Sequence, residues 1–199
     1  MLLIAVILLL YFILKTPQAD IEQRAEETVL SPDADAIKFY IDDCMKKSGE
    51  KAVVHVSIRG GYNEVTLNHT YYADISIPYY FTNNQIKIPT EEEIQNELSL
   101  ALVDYLGECI NGFQSFVAQG YDFNIEGEPV VTATITNRGV MFNLNSNLQI
   151  TKDQDTFRFE RFSANINAPL RKMLNLSSQY IDVQKEEPNA LRMSHLIDL

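Results

Sequence analysis

Residues 140–151 read VMFNLNSNLQIT, and this stretch decides the fold. Val140, Phe142, Leu144, Leu148 and Ile150 alternate with Met141, Asn143, Asn145, Asn147, Gln149 and Thr151. A period of two over about a dozen residues is the mark of a strand with one face buried and the other wet. Turn chemistry lies on both sides, at Asn137-Arg138-Gly139 and at Lys152-Asp153-Gln154-Asp155. The alternating run is therefore the middle strand of an antiparallel meander, between Val130–Thr136 and Thr156–Asn167. In the last of these the apolar positions slip from Phe157 and Phe159 to Phe162, Ala164 and Ile166. One extra residue near Glu160, a β-bulge, restores the facing.

Upstream, Thr90 followed three residues later by Glu93 forms a capping box, and Glu91 and Glu92 add negative charge to the positive end of a helix. Ile94, Leu98, Ala101, Leu102, Tyr105, Cys109 and Ile110 then trace one stripe to about Gly112. An earlier helix is expected from Asp35 as its cap to Ser48-Gly49, with Ile37, Tyr40, Ile41, Cys44 and Met45 on one face. From there the period switches to two: Val54, Val56 and Ile58 alternate with His55, Ser57 and Arg59. This predicts a strand, then a hairpin at Gly60-Gly61-Tyr62-Asn63 with Val65 and Leu67 on its return, and a further strand from Tyr71 to Ile77. Pro169 opens a last helix with a stripe of Leu170, Met173, Leu174, Ser177 and Ile181. Helices followed by hairpin and meander make an α+β fold: an antiparallel sheet with helices packed on one face.

The first residues have another character. Leu2 to Leu14 are uninterrupted apolar and end at Lys15. As a helix they span about 20 Å, short of the roughly 30 Å hydrocarbon core. A secretory signal peptide would bring a basic start and a small-x-small cleavage site. The start here is Met-Leu-Leu, and Pro17 with Ala19 is a poor cleavage pair. A retained membrane anchor over residues 1–16 is therefore expected, with a start truncated upstream to explain its length. Ile21, Ala25 and Val29 among acidic residues suggest a stalk helix in the linker 17–33, which Ser31-Pro32-Asp33 breaks. One domain then fills 34–187. Residues 188–199 form a C-terminal segment that stops in an apolar run, as expected of a longer protein cut there.

The formal charge of -11 with no basic stretch excludes the phosphate-binding surface of a nucleic-acid protein. Trp is absent while Tyr and Phe number ten each, so aromatic packing falls to those two types. The two cysteines, Cys44 and Cys109, each lie on the inward stripe of an expected helix. An even count outside a reducing compartment suggests a disulfide. Closing a loop of that length would stabilise the fold by about 4 kcal/mol in the chain-entropy account. Neither cysteine has the short Cys or His spacing of a zinc site, and no metal or cofactor is expected.

No Gly-x-Ser-x-Gly, His-Glu-x-x-His, Walker or dinucleotide motif is present. The best catalytic grouping is His55, Glu64, His69 and Asp74 converging across the first hairpin. The competing reading, polar residues on the wet face of that hairpin, is preferred, so no catalytic residue is assigned. Asn68-His69-Thr70 and Asn175-Leu176-Ser177 match the N-glycosylation triplet. Tyr71, Tyr72, Tyr79, Tyr80 and Phe81 are a candidate aromatic contact surface, their alternative being burial and shielding of a sheet edge.

The succession FYIDDCMKKSGEKAV, RGGYNE, IPYYF, PTEEEIQNEL, GECINGF and GYDFNIEGEPV, over about residues 37–150, resembles a group of membrane-anchored archaeal surface proteins with a type IV pilin-like leader. That resemblance implies a cell-surface setting and leaves activity open. The basic approach to a pilin leader is missing here. The expected role is a single-pass, extracytoplasmic module, structural or protein-binding, that meets the membrane through residues 2–14 and a protein partner at the surface. The alternatives are a small-ligand binder with an apolar pocket between helices and sheet, and a hydrolase.

Overall fold

The computed structural model describes residues 32–83, 85–110 and 113–186. The chain divides into two units, residues 1–35 and 36–199. The anchor, the stalk up to Ser31 and the segment 188–199 lie outside the described residues.

The first described helix, α1, runs Pro32–Ile58. Proline opens it, as its fixed φ and missing N–H suit the first turn, so Asp35 sits inside the helix and is not its cap. Ile37, Ile41, Cys44, Met45, Ser48, Ala52, Val53 and Val56 are all buried, a stripe at three- and four-residue spacing. The strand expected over Val54–Ile58 is helix instead: Val56 is buried while Val54 and Ile58 are 59% and 44% exposed. A β-branched run favours a strand only weakly, and prolonging a buried helical stripe outweighs it. Gly49 does not end the helix either. A Cβ there would come within 3.0 Å of Phe142 and 3.1 Å of Ile166, so glycine permits close approach to the sheet.

The helix ends at the glycine pair expected to turn a hairpin. Gly60 and Gly61 take φ of 65° and 92°. The N–H of Gly61 donates to the Val56 carbonyl at 2.8 Å and that of Gly60 to Ser57 at 3.1 Å. This is the Schellman pattern, which satisfies carbonyls that the helix leaves without partners.

Small hairpins follow. β1 (His69–Tyr72) and β2 (Ile75–Pro78) pair antiparallel, Tyr72 opposite Ile75. Between them Ala73 and Asp74 have φ of 47° and 64°. Two left-handed residues make the tight turn whose twist suits a hairpin, so the strand expected from Tyr71 to Ile77 is folded back on itself. β3 (Phe81–Thr82) and β4 (Gln85–Ile86) form a second, minimal pair.

Helix α2 is Glu91–Ile110. Its capping box is formed: Glu93 Oε2 accepts from the Thr90 N–H at 2.7 Å, and Thr90 Oγ1 accepts from the Glu93 N–H at 3.2 Å. The Thr90 N–H first, and then the Thr90 hydroxyl, which also donates to Glu93 Oε2 at 2.9 Å, hold the Glu93 carboxyl below its ordinary range. Ile94, Leu98, Ala101, Leu102 and Leu106 are buried along it. After the short α3 (Gln114–Val117) come β5 (Asp122–Ile135), β6 (Val140–Lys152) and β7 (Asp155–Ile166), and then α4 (Leu170–Glu186).

The meander is a three-stranded antiparallel sheet in the order β5-β6-β7. Its register slips between Asn145 and Leu148 of β6, where Ser146 and Asn147 face Glu160 alone. The bulge expected near Glu160 is thus present, with the extra residue on the neighbouring strand. A second slip, between Glu126 and Val130 of β5, contains Gly127 at φ 83°. Ala133, Ile135, Val140, Phe142, Leu148, Ile150, Phe159, Phe162, Ala164 and Ile166 bury one face. Helix α2 guards the outer edge of β5 with side chains: Ser99 Oγ accepts the Ala133 N–H at 2.9 Å and Gln95 Oε1 that of Ile135 at 2.8 Å. Arg171 joins α4 to the rest, donating to Glu91, to Asn137 Oδ1 at 2.9 Å and to the Ile135 carbonyl at 2.7 Å.

Candidate functional site

Two groups of polar and aromatic residues stand out. The first surrounds His55, on the flank of α1 that meets α2. His55 Nε2 lies 2.9 Å from the Asn63 carbonyl, which can only accept, so Nε2 carries the proton. Nδ1 is then the acceptor, and Arg59 Nη1 and the Tyr105 hydroxyl both stand 2.9 Å from it. The Tyr105 ring meets the imidazole edge to face at 5.7 Å. Asn63 is held in turn by α2: its N–H donates to Glu97 at 2.7 Å and its amide to Asp104 at 3.1 Å. Lys51 donates to Glu108 at 3.0 Å.

Both nitrogens of His55 are thus used within the fold, and the partners come from α1, α2 and the loop between them. The arrangement fixes the C-terminal end of α1 against α2. His69 belongs to a different place, in β1, where Nδ1 meets the Leu67 carbonyl at 2.7 Å and the ring stands edge to face with Tyr71 at 4.9 Å. Glu64 is exposed in the loop and Asp74 occupies the β1–β2 turn. The hairpin that would have gathered His55, Glu64, His69 and Asp74 does not form, because residues 53–58 are helical. Tyr105 and Asn63 do not belong to the grouping of His55, Glu64, His69 and Asp74 expected from the sequence. Tyr105 carried a hint, since it lies on the α2 stripe, whereas Asn63 acts through its backbone and carried none.

The second group is the aromatic hairpin. Tyr71 and Tyr72 are 69% and 73% exposed, and Tyr79 is 49% exposed. Adjacent strand residues point to opposite faces, so both faces of β1 carry a solvent-facing ring. The hairpin is secured at its base, where Pro78 is buried and the Tyr79 N–H donates to the Asn68 carbonyl at 2.9 Å. Tyr80 and Phe81 differ, being half-buried. The Tyr80 hydroxyl donates to the Gly60 carbonyl at 2.6 Å, and burial, then nearby Tyr62, pushes its pKa up to about 12. The five-residue contact surface therefore separates into three presented rings and two that support the fold.

A third aromatic group, unmarked in the sequence reading, joins α1, α3 and β5. Phe113 stacks on Phe123 at 4.7 Å, and Tyr40 meets Phe116 at 5.3 Å. Lys152 Nζ lies 4.3 Å from the centre of the Tyr121 ring.

An open cleft of about 700 Å³ lies at the β5–β6 turn, lined by Thr136 to Val140 and Asn165 to Asn167. Where α1, α2 and α4 meet, the gap is about 70 Å³, well below the few hundred Å³ of a small-molecule site. Among the described residues no cluster of three His, Cys, Asp or Glu could hold a metal. No described helix is long and apolar enough to cross a membrane, and residues 2–14 lie outside the description. Asn68 and Asn175 are exposed, the first before β1 and the second on α4.

Cys44 is buried on α1, and no described cysteine is free. The side chain of Cys109 lies outside the described residues, although its backbone belongs to α2. No known protein family, curated protein or solved structure matches the chain.

Proposed function

We propose that this chain is a membrane-held, extracytoplasmic module that presents the β1–β2 hairpin to a protein partner. The observation that carries this reading is the exposure of Tyr71, Tyr72 and Tyr79 on a hairpin secured at its base. Solvent-facing tyrosines are a cost to a soluble surface and are enriched where proteins meet, because the ring is apolar and the hydroxyl still bonds. The uninterrupted apolar run Leu2 to Leu14 supplies the hold on the membrane.

The cysteines support the outward side. Near them α1 and α2 run antiparallel, since Lys51 pairs with Glu108 and His55 with Tyr105. Ser48 Oγ donates to the Tyr105 carbonyl at 3.3 Å. Cys44 lies one turn before Ser48 on α1 and Cys109 one turn after Tyr105 on α2, spacings that support a bridge between them. A Cys44–Cys109 bridge there is favoured by an oxidising compartment.

A photo-crosslinking residue at Tyr72, with one at exposed Glu128 as control, tests the partner in native membranes. A discrete protein adduct from position 72 and none from 128 is expected. Equal, diffuse labelling from both positions would contradict it.

A further inference from the structure

The two edges of the sheet are treated differently. Side chains of α2 occupy the outer N–H groups of β5, but among the described residues no strand pairs with the outer edge of β7. An open edge of twelve residues is a template for another strand. The pattern of β7 itself says which one. Phe157 is half-buried and Phe159, Phe162, Ala164 and Ile166 are buried, while Thr156, Arg158, Glu160, Arg161, Ser163 and Asn165 are exposed. From 156 to 165 this order reads the same from either end, about the peptide between Glu160 and Arg161.

We infer that β7 pairs antiparallel with β7 of a second copy of this chain, about a two-fold axis between Glu160 and Arg161, making one continuous six-stranded sheet. In that register Phe159 faces Phe162 of the other copy and Phe157 faces Ala164, all on the buried side. On the wet side Arg158 faces Ser163, Thr156 faces Asn165, and Glu160 faces Arg161 twice, two opposite-charge cross-strand pairs.

The main chain agrees. In an antiparallel ladder, successive residues turn their N–H and C=O alternately to one neighbour and the other. Ala133 and Ile135 turn theirs away from β6. Their partners Phe142 and Val140 therefore turn toward β7, and Ala164 and Ile166 turn back toward β6. Ser163 and Asn165 are left pointing outward. Across the register slip the buried face decides: within a strand the face a side chain takes fixes the side to which its N–H and C=O turn, and Leu148 and Ile150 are buried like Phe142, so their partners Phe159 and Phe157 also turn inward, leaving Arg158 and Thr156 outward. The outward pairs Arg158–Ser163 and Thr156–Asn165 are those that the two-fold register brings together. The register slip near Glu160, which breaks the alternation of β7, is what makes this match possible.

Sedimentation of the full chain in density-matched detergent tests the interface. The wild type is expected to dimerise with rising concentration. Glu160→Arg or Arg161→Glu alone turns both attractive pairs repulsive and should weaken association roughly tenfold, and the double swap Glu160→Arg with Arg161→Glu should restore it. Ser163→Pro, which removes an outward N–H, should abolish it. A monomeric wild type, or a dimer indifferent to all these variants, overturns the inference. Failure of the double swap to restore association does so too. Hydrogen exchange on the wild type gives a second reading that needs no variant. Protection of the Arg158, Ser163 and Asn165 amides should rise with protein concentration; full protection at high dilution would show that the chain's own residues cover the edge, and would overturn the inference.

Discussion

Tyr80 links the stability of the helix end to pH. Its hydroxyl occupies the Gly60 carbonyl, and burial pushes its pKa from 10.0 to about 12. The neutral phenol is favoured in the folded state, so the stabilisation is complete below pH 10 and is lost as pH rises from 10 through about 12. Tyr80→Phe should cost about 1–2 kcal/mol at neutral pH, for the lost bond and the bare carbonyl. The variant should also lose less stability than the wild type between pH 7 and 11 in urea unfolding. Equal losses would remove Tyr80 from the account. Gly60→Ala should be harmful as well, because φ is 65° and a Cβ would lie 2.6 Å from the Tyr80 hydroxyl.

At the scale of elements, α1 shows where sequence reading succeeds and where it fails. The meander was legible because Val140 to Thr151 alternates over the full length of the strand, and because both its turns carry turn residues. The capping box at Thr90 and Glu93 was legible because its chemistry is local. The second half of α1 was not, because Val54, Val56 and Ile58 alternate while Ala52, Val53 and Val56 continue a helical stripe, and tertiary burial of that stripe decides between them. The glycines misled for the same reason: Gly49 serves a tertiary contact and Gly60-Gly61 a helix end, yet both look like punctuation. The His55 cluster depends on that helix, so its true partners, Tyr105 and Asn63, could not be read from spacing. This account predicts that Gly49→Leu costs about 2–3 kcal/mol more than Gly49→Ala, since the small residue recovers helix propensity while the large one overpacks the sheet. Similar melting temperatures for both would mean that Gly49 does not face Phe142 and Ile166.

For the whole molecule, the proposed reading rests on a charge of -11 and an apolar leader, which would put the domain in water and the leader in a membrane. The α+β domain is braced where α1 and α2 cross, by Lys51–Glu108, by Ser48 and by the His55 cluster. The proposed Cys44–Cys109 bridge would add about 4 kcal/mol in the chain-entropy account, and under the proposed function the tyrosines and the β7 edge would meet their partners outside the cytoplasm. Side and bridge are tested together by thiol alkylation of the full chain in its native membrane, with and without reductant. Both Cys44 and Cys109 should resist alkylation under denaturing conditions until they are reduced. Free reaction of both without reductant would contradict the bridge and, with it, the placement of this module outside the cytoplasm.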